Sequence, residues 1–544
     1  MNIVSFSPFG YEGALVVVEV DLRRGIPSCD VVGLADCAVK EARERMRSAI
    51  RNSGLEFPPE RVLINLSPAD LKKEGSGFDL AIALAVLQEA DESQKSSKKV
   101  LVMGELELSG KLRWVRGTHA AILTAAQEGI EFCIVPKDHK YNDSNLGNIK
   151  IFSVDSLLEA KEALREIESL AMIPRENALK KEQSQSKGTD FGFIAMDSLE
   201  NDSLNSGKTE REKAINIEFG SFSKDFDFCH VKNQSALVRS LQVAAGGGHN
   251  VLAYGPPGCG KTLSMQRFPT LLPNLSLEES RESTRIWSLS GLLSAETEMI
   301  KYPPFRIPHQ SASLEGMVGG GTHCHPGEIS LAHNGVLFLD EAAEFRSSVL
   351  QTLRVPLESK SITLSRAGRH TVFPANFQLL IATNPCPCGN FGSKDKICLC
   401  SSLAVENYWK KFSGPLLDRV DIRIPVLDDI NTDFAEKAGI KSGTSTEELR
   451  QGIKKAREIQ ILRQGKLNSN LTPEEIEFYC KLNSELQNYL DVVAEKHDFS
   501  ARALHSVKKL SRTIADMNGS YEITLDHLRE AIFYRKTQGP LDIF

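Results

Sequence analysis

Residues 255–262 read Gly-Pro-Pro-Gly-Cys-Gly-Lys-Thr and follow the apolar run Val251-Leu252-Ala253-Tyr254. A strand that feeds a glycine loop and then a helix is the arrangement that binds phosphate. Around Gly255, Pro256, Pro257, Gly258, Cys259 and Gly260, backbone N–H groups can curl about phosphate oxygens. The helix that follows turns its positive end toward them. Lys261 is spaced to reach the β- and γ-phosphates, and Thr262 to hold Mg²⁺. Farther on, Val336-Leu337-Phe338-Leu339 is an apolar strand that ends in Asp340-Glu341. Asp340 stands where a magnesium-shell carboxylate belongs, and Glu341 is placed to activate an attacking water. Read alone, the pair could close a solvated turn; downstream of a phosphate loop it reads as the acidic half of a nucleotide-hydrolysis site.

Other residues carry suitable chemistry with positions that spacing does not fix. Asn384 follows the apolar strand Leu379–Thr383. An amide at the carboxyl end of a central parallel strand lies at the ligand crevice and can orient water; a turn asparagine before Pro385 is the alternative. Arg419, in Leu416-Leu417-Asp418-Arg419-Val420-Asp421, offers a guanidinium of the kind that stabilises a transferring phosphoryl group. An ion pair with Asp418 or Asp421 is its other reading. Arg502 stands in the first turn of a helix that Ser500 would cap. A cation there opposes the helix dipole, so it faces either a ligand or solvent. Cys386, Cys388, Cys398 and Cys400 form two Cys-x-Cys pairs, and four thiolates suit tetrahedral Zn²⁺. Four reduced thiols in an exposed loop are the alternative, and exposed thiols oxidise.

The frame that positions these groups follows from composition and periodicity. At 544 residues the chain is too long for one core. Its 41% apolar and 25% charged content is that of a soluble globular protein. No basic-then-apolar leader opens the chain, and no stretch nears the roughly 20 apolar residues that span a bilayer. The expectation is a cytoplasmic protein with no membrane partner. With a net charge of −6, a nucleic-acid partner needs a local basic patch or a ring of loops. Eleven cysteines, seven of them scattered, fit a reduced compartment with one candidate metal site. Cys133 and Cys229 fall in apolar runs and are expected to be buried.

Residues 1–172 read as one α/β unit, with strands at Ala14–Asp21, Val62–Ser67, Val100–Leu106 and Phe132–Pro136. Helical spacing covers Val39–Asn52, Leu80–Glu89, Ala120–Glu128 and 157–170. Residues 173–217 turn polar and read as a flexible linker. Residues 218–430 alternate strands and helices in the manner of a parallel sheet covered on both faces. Residues 431–544 are helix-rich, at Thr446–Gln464, Pro473–Leu482, Ser500–Met517 and Leu525–Arg535.

The succession of the phosphate loop, Leu337-Phe338-Leu339-Asp340-Glu341, Ala382-Thr383-Asn384, Leu416-Leu417-Asp418-Arg419 and Ser500-Ala501-Arg502-Ala503 resembles that of AAA+ ATPases. Pro304–His309, Val318–Gly321, Pro326–His333 and Asn384–Gly389 narrow the resemblance to the magnesium-chelatase-like branch and its ComM/YifB family. Val32–Asp36 and Arg512–Asp516 match as well, so the resemblance covers nearly the whole chain except the linker. It implies an α/β P-loop AAA+ module with a C-terminal helical lid. It further implies a homo-oligomeric ring, commonly a hexamer, with ATP and Mg²⁺ held between neighbours. Asn384 is then the sensor-1 residue, Arg419 an arginine finger supplied in trans, and Arg502 the sensor-2 residue. Members resembling ComM are DNA-translocating motors that drive branch migration of recombining strands. The sequence departs from the family pattern at Gln310, where a second histidine is usual, and at Asn233, often a glycine. Ala342-Ala343 replaces a usual Leu-Pro.

The first 172 residues resemble the proteolytic domain of Lon, an α+β fold of the ribosomal-S5 type. The match runs through Lys73–Asp79, Gly104-Glu105-Leu106 and Val135-Pro136-Lys137. Aligned so, Gly77 takes the nucleophile's position and His119 that of the dyad lysine, with Ser76 one residue away. A Ser–Lys protease needs a hydroxyl and a nearby base, so peptidase activity is not expected.

A ring of this kind moves polymer through its pore by loops. Met317–His325, rich in glycine, is one candidate. Lys360–His370, with Lys360, Arg366, Arg369 and His370 and no acid, is the other. It reads as a hairpin of Ser361–Ser365 and Thr371–Phe373 about Ala367-Gly368, either a solvated tip or a contact for DNA phosphates without sequence preference. The favoured function is an ATP-driven motor on single-stranded or branched DNA. The alternatives are a protein-remodelling AAA+ ATPase and a chelatase-type subunit; the Lon-like unit and the cysteine segment point away from the last.

Overall fold

The computed structural model describes residues 1–171 and 217–536, apart from Ala35, Asp70, Glu74, 92–97, Ser144, Asn148, 322–323, 367–368, Gly392, 394–395 and 428–432. Nearly all of the expected linker therefore lies outside the described residues.

The N-terminal unit is a seven-stranded mixed sheet. Across it run Cys29–Val32, Arg61–Ser67, Ala14–Arg23, Asn2–Ser7, Lys99–Val102, Phe132–Pro136 and Lys150–Val154. Successive side chains point to opposite faces. Ile3, Val100 and Val102 join a core with helices Cys37–Asn52 and Asp79–Ala90, whereas Phe6, Leu101 and Met103 join a second core with Thr118–Gln127. The expected strand Val100–Leu106 is interrupted at Met103-Gly104. Its last two residues, Glu105-Leu106, pair instead with Leu112-Arg113. A Cβ at Gly104 would lie 3.2 Å from Pro136, so glycine permits this close passage.

The second sheet is parallel throughout, in the order Phe305–Arg306, Val336–Leu339, Gln378–Thr383, Val251–Tyr254, Ile422–Pro425. Its central strands are buried at every residue, as a sheet covered on both faces requires. Val251, Ala253, Phe338 and Leu380 face helix Ser235–Gly247 and the C-terminal helices. Leu252, Tyr254, Leu337 and Leu379 face the opposite core.

The C-terminal helices are Thr446–Gln464, Pro473–Tyr479, Ser484–His497, Ala501–Asn518 and Leu525–Lys536. Ser445 opens the first with a capping box and Gly465 closes it in the left-handed conformation. Thr472 caps the next, with Pro473 at its first position. The whole is an α/β fold: a parallel sheet flanked by helices with a helical C-terminal region, consistent with an AAA+ module.

Candidate functional site

Parallel register sets Tyr254 beside Thr383 and Leu339 beside Ile381. Gly255, Asp340 and Asn384 therefore leave the sheet at one edge, the carboxyl ends of adjacent strands. At Gly255 a Cβ would meet Val426 O at 2.2 Å, so the loop can begin only with glycine. Gly258 and Gly260 both have φ +84, which turns their N–H groups inward. Lys261 Nζ, nearly buried, donates to Gly255 O at 2.6 Å and Pro256 O at 2.7 Å. Burial holds its pKa below the usual lysine value. Thr262 Oγ1, from the helix Lys261–Gln266, donates to Asp340 Oδ1 at 3.0 Å, so a hydroxyl at the start of that helix and a carboxylate at the end of the strand Val336–Leu339 converge on one point. That donor pair fits a hard cation such as Mg²⁺.

Glu341 is held in the left-handed region at φ +48, an uncommon state for a residue with a side chain. Its N–H donates to Asp340 Oδ1 at 3.0 Å. Gln310, which the sequence singled out only as a departure, donates its amide to Glu341 Oε2. Asn384, half-buried, ends the strand lying between the other two.

Arg419 and Arg502 are elsewhere. Ile422 pairs with Val251, so Arg419 precedes the amino end of its strand, at the sheet edge away from the phosphate loop. Neither Asp418 nor Asp421 is its partner: Arg419 Nη2 donates to Glu358, and Arg502 Nη2 donates to the other oxygen of Glu358 at 2.6 Å. The two guanidinium groups hold that carboxyl below its usual range. Asp421 is committed to a buried network that sequence reading missed. It accepts from Ser506 Oγ at 2.6 Å and contacts His249 Nδ1 at 2.9 Å, and His249 Nε2 meets Thr513 Oγ1 at 2.8 Å. These four residues tie the sheet edge to helix Ala501–Asn518, and no local pattern links them.

The four cysteines converge, with all Sγ atoms within 4.8 Å of one another. Cys386 lies 3.4 Å from Cys388 and 3.6 Å from Cys398, and Cys388 lies 3.6 Å from Cys398. A tetrahedron of Zn–S bonds of about 2.3 Å has edges of about 3.8 Å, so the donor set fits zinc. The Asn390 N–H brings the Cys388 thiol down to about 6, while burial pushes Cys386 up. Of the two scattered cysteines expected inside, Cys133 is buried and Cys229 only half-buried.

In the N-terminal unit Gly77 is buried in a short turn, Ser76 Oγ donates to Glu105, and Lys73 donates to Pro68 O. His119 is buried between His139 and Tyr141, and burial pushes its imidazole down to about 4. The glycine-rich segment forms two-residue strands, Gly319-Gly320 with His325-Pro326; Thr322 and His323 lie outside the described residues. Arg116 Nη1 of the N-terminal unit lies 3.3 Å from His325 Nε2. The basic hairpin pairs Ser361–Arg366 with Arg369–Pro374; its turn residues 367–368 lie outside the described residues. Tyr11 N donates to Thr371 Oγ1 at 3.0 Å, which joins the N-terminal unit to this hairpin. Lys360 is half-buried beside Lys509 and Asp421, at the root of the hairpin.

Family models agree with this layout. Magnesium chelatase, subunit ChlI, matches residues 227–433; subunit ChlI of Mg-chelatase matches 18–139; and the ChlI C-terminal model matches 443–535. The chain is 38% identical over 539 residues to competence protein ComM of Haemophilus influenzae, covering 98% of this chain and 97% of that one. It is 38% identical over 529 residues to the uncharacterized protein YifB of Escherichia coli, covering 97% and 95%. A more distant likeness, 25% over 219 residues, joins 38% of this chain to 23% of the DNA replication licensing factor mcm2 of Schizosaccharomyces pombe. Identity of that extent with ComM and YifB, together with the three chelatase-type models, makes this chain a member of the magnesium-chelatase-like ComM/YifB family.

Proposed function

We propose that the chain is an ATP-driven ring motor acting on DNA, with branch migration of the ComM type as its task. The observation that carries the reading is the convergence of Thr262 and Asp340 beside Lys261 and the loop glycines. ATP supplies the bond whose cleavage drives movement. In this reading Lys261 exchanges its loop carbonyls for phosphate oxygens, and Thr262 and Asp340 hold Mg²⁺. Glu341 takes the proton of the attacking water while Asn384 orients it. Arg419 and Arg502 lie at the far sheet edge of their own chain, so we assign both to the nucleotide of a neighbouring copy. A ring, commonly six-fold in this family, satisfies that requirement. Cys386, Cys388, Cys398 and Cys400 hold one structural Zn²⁺. DNA as the polymer is supported by the likeness to a replication licensing factor and to a competence protein. Among the described residues no helix is long and apolar enough to cross a membrane.

The deciding experiment measures ATPase alone and with single-stranded, duplex and four-way-junction DNA, followed by branch migration. Glu341→Gln serves as the control that binds ATP without turnover. DNA is expected to stimulate hydrolysis, most with the junction. Stimulation by unfolded protein and not by any DNA would transfer the motor to protein remodelling.

A further inference from the structure

The four-cysteine segment and the phosphate loop pass close to one another at Gly389 and Pro257. A Cβ built on Gly389 would lie 3.0 Å from Pro257 Cδ, 3.4 Å from Pro257 Cγ and 3.9 Å from Asn384 Cγ. Gly389 has φ +77, and its N–H donates to Cys386 O at 3.0 Å to close a turn. One turn thus supplies two thiols to the cluster on one side and the surface against Pro257 on the other. It begins two residues after Asn384, and the intervening Pro385 O accepts from Trp409 Nε1 at 2.9 Å. The second pair of thiols comes from the returning stretch Cys398-Leu399-Cys400, whose Leu399 is 90% exposed.

Among the described residues of 386–400 there is no helix or strand. The described part of the segment is fixed by no helix or strand, and ordering such a stretch costs chain entropy. Four adjacent thiolates without a cation repel one another; bridged by one they close the loop and fix the turn. The placement of Gly389 between Pro257 and Asn384 then follows from the cluster.

We propose that metal in the four-cysteine site positions the nucleotide site. It holds the turn Cys386–Gly389 against Pro257 and sets Asn384 at the loop, so that affinity for ATP depends on metal content. The cysteines touch no nucleotide and act only through these neighbours. The inference rests on the cluster binding Zn²⁺.

The full chain tests it. Zinc is assayed directly, and the Kd of a fluorescent ATP analogue with Mg²⁺ is measured before removal of zinc by a chelator, after removal, and after zinc is returned. The double variant Cys398→Ser/Cys400→Ser is measured in parallel, with circular dichroism to follow folding. About one zinc per chain is expected. On its removal Kd should rise about tenfold or more, a loss of about 1.4 kcal/mol of binding free energy per tenfold. Zinc should restore the wild-type chain and not the variant. Zinc that is present and removable with no change in Kd overturns the coupling and leaves the metal site standing. A wild-type chain that holds no zinc and takes none up overturns both. A loss of affinity that zinc does not reverse reports unfolding and also overturns the coupling.

Discussion

Arg419 and Arg502 grip opposite oxygens of a single carboxylate, that of Glu358. The pair sits beyond the amino end of strand Ile422–Pro425, whereas the phosphate loop leaves the carboxyl end of its neighbour Val251–Tyr254. Arg419 thus lies at the end of the strands opposite the phosphate loop, and Arg502 joins it there on Glu358. If the proposed ring forms, a neighbour's triphosphate would compete with the Glu358 carboxylate for both guanidinium groups.

Mixed assemblies test this directly. Arg419→Ala and Lys261→Ala chains should each lose roughly 10³-fold in ATPase. In an equimolar random ring about a quarter of the seams pair an intact phosphate loop with an intact arginine of the next chain, and activity should return in proportion. A mixture no more active than its components would mean that each arginine serves its own chain.

Gln310 restrains Glu341, the base in the proposed mechanism. Its amide donates to Glu341 Oε2 and occupies that oxygen, and the left-handed backbone of Glu341 limits its escape. Gln310→Ala should raise basal ATPase severalfold and shrink the stimulation ratio with DNA. A fall in basal rate with unchanged ATP affinity would show instead that the amide holds Glu341 in its working position.

The hairpin Ser361–Arg366 and Arg369–Pro374 pairs Arg366 with Arg369 across its last register position. Arg366→Ala/Arg369→Ala should abolish DNA stimulation and leave basal ATPase unchanged. Lost phosphate contacts also flatten the salt dependence of DNA binding, by about 0.9 per contact on a log–log plot for duplex. Unchanged stimulation would move the DNA contact to another element.

Sequence disclosed the parts of the site that are local. The glycine loop, the acids after Leu339 and the amide after Thr383 each lie within a few residues of an apolar strand, and strand-then-polar punctuation is readable without a structure. The parallel-sheet class followed from the same runs. What pairs across the fold was not readable. Glu358 was not identified as the partner of Arg419, nor Gln310 as that of Glu341, because each contact depends on strand order. Strands Asn2–Ser7, Cys29–Val32 and Lys150–Val154 escaped because their pairing, and not a long apolar run, makes them strands. The helix Ser484–His497 escaped although Asn483 caps it, since its polar face dominates and only Leu486 and Leu490 are buried.

The N-terminal unit carries a pH dependence of its own. His119 is fully buried in the second core, and burial, then the neighbouring His139, hold its imidazole near 4. In an unfolded chain it would titrate near 6.5. Between those values the unfolded state takes up a proton that the native state refuses. The sign follows: the contribution of neutral His119 is complete above about pH 6.5 and is lost progressively as pH falls toward 4, by at most about 1.4 kcal/mol per pH unit. His139, also lowered by burial, acts in the same direction. His119→Leu removes one of these titrations. Its melting temperature should therefore drop less between pH 7.5 and pH 5 than that of the unaltered chain, whatever its value at pH 7.5. Parallel losses in the two proteins would assign the acid sensitivity to other groups.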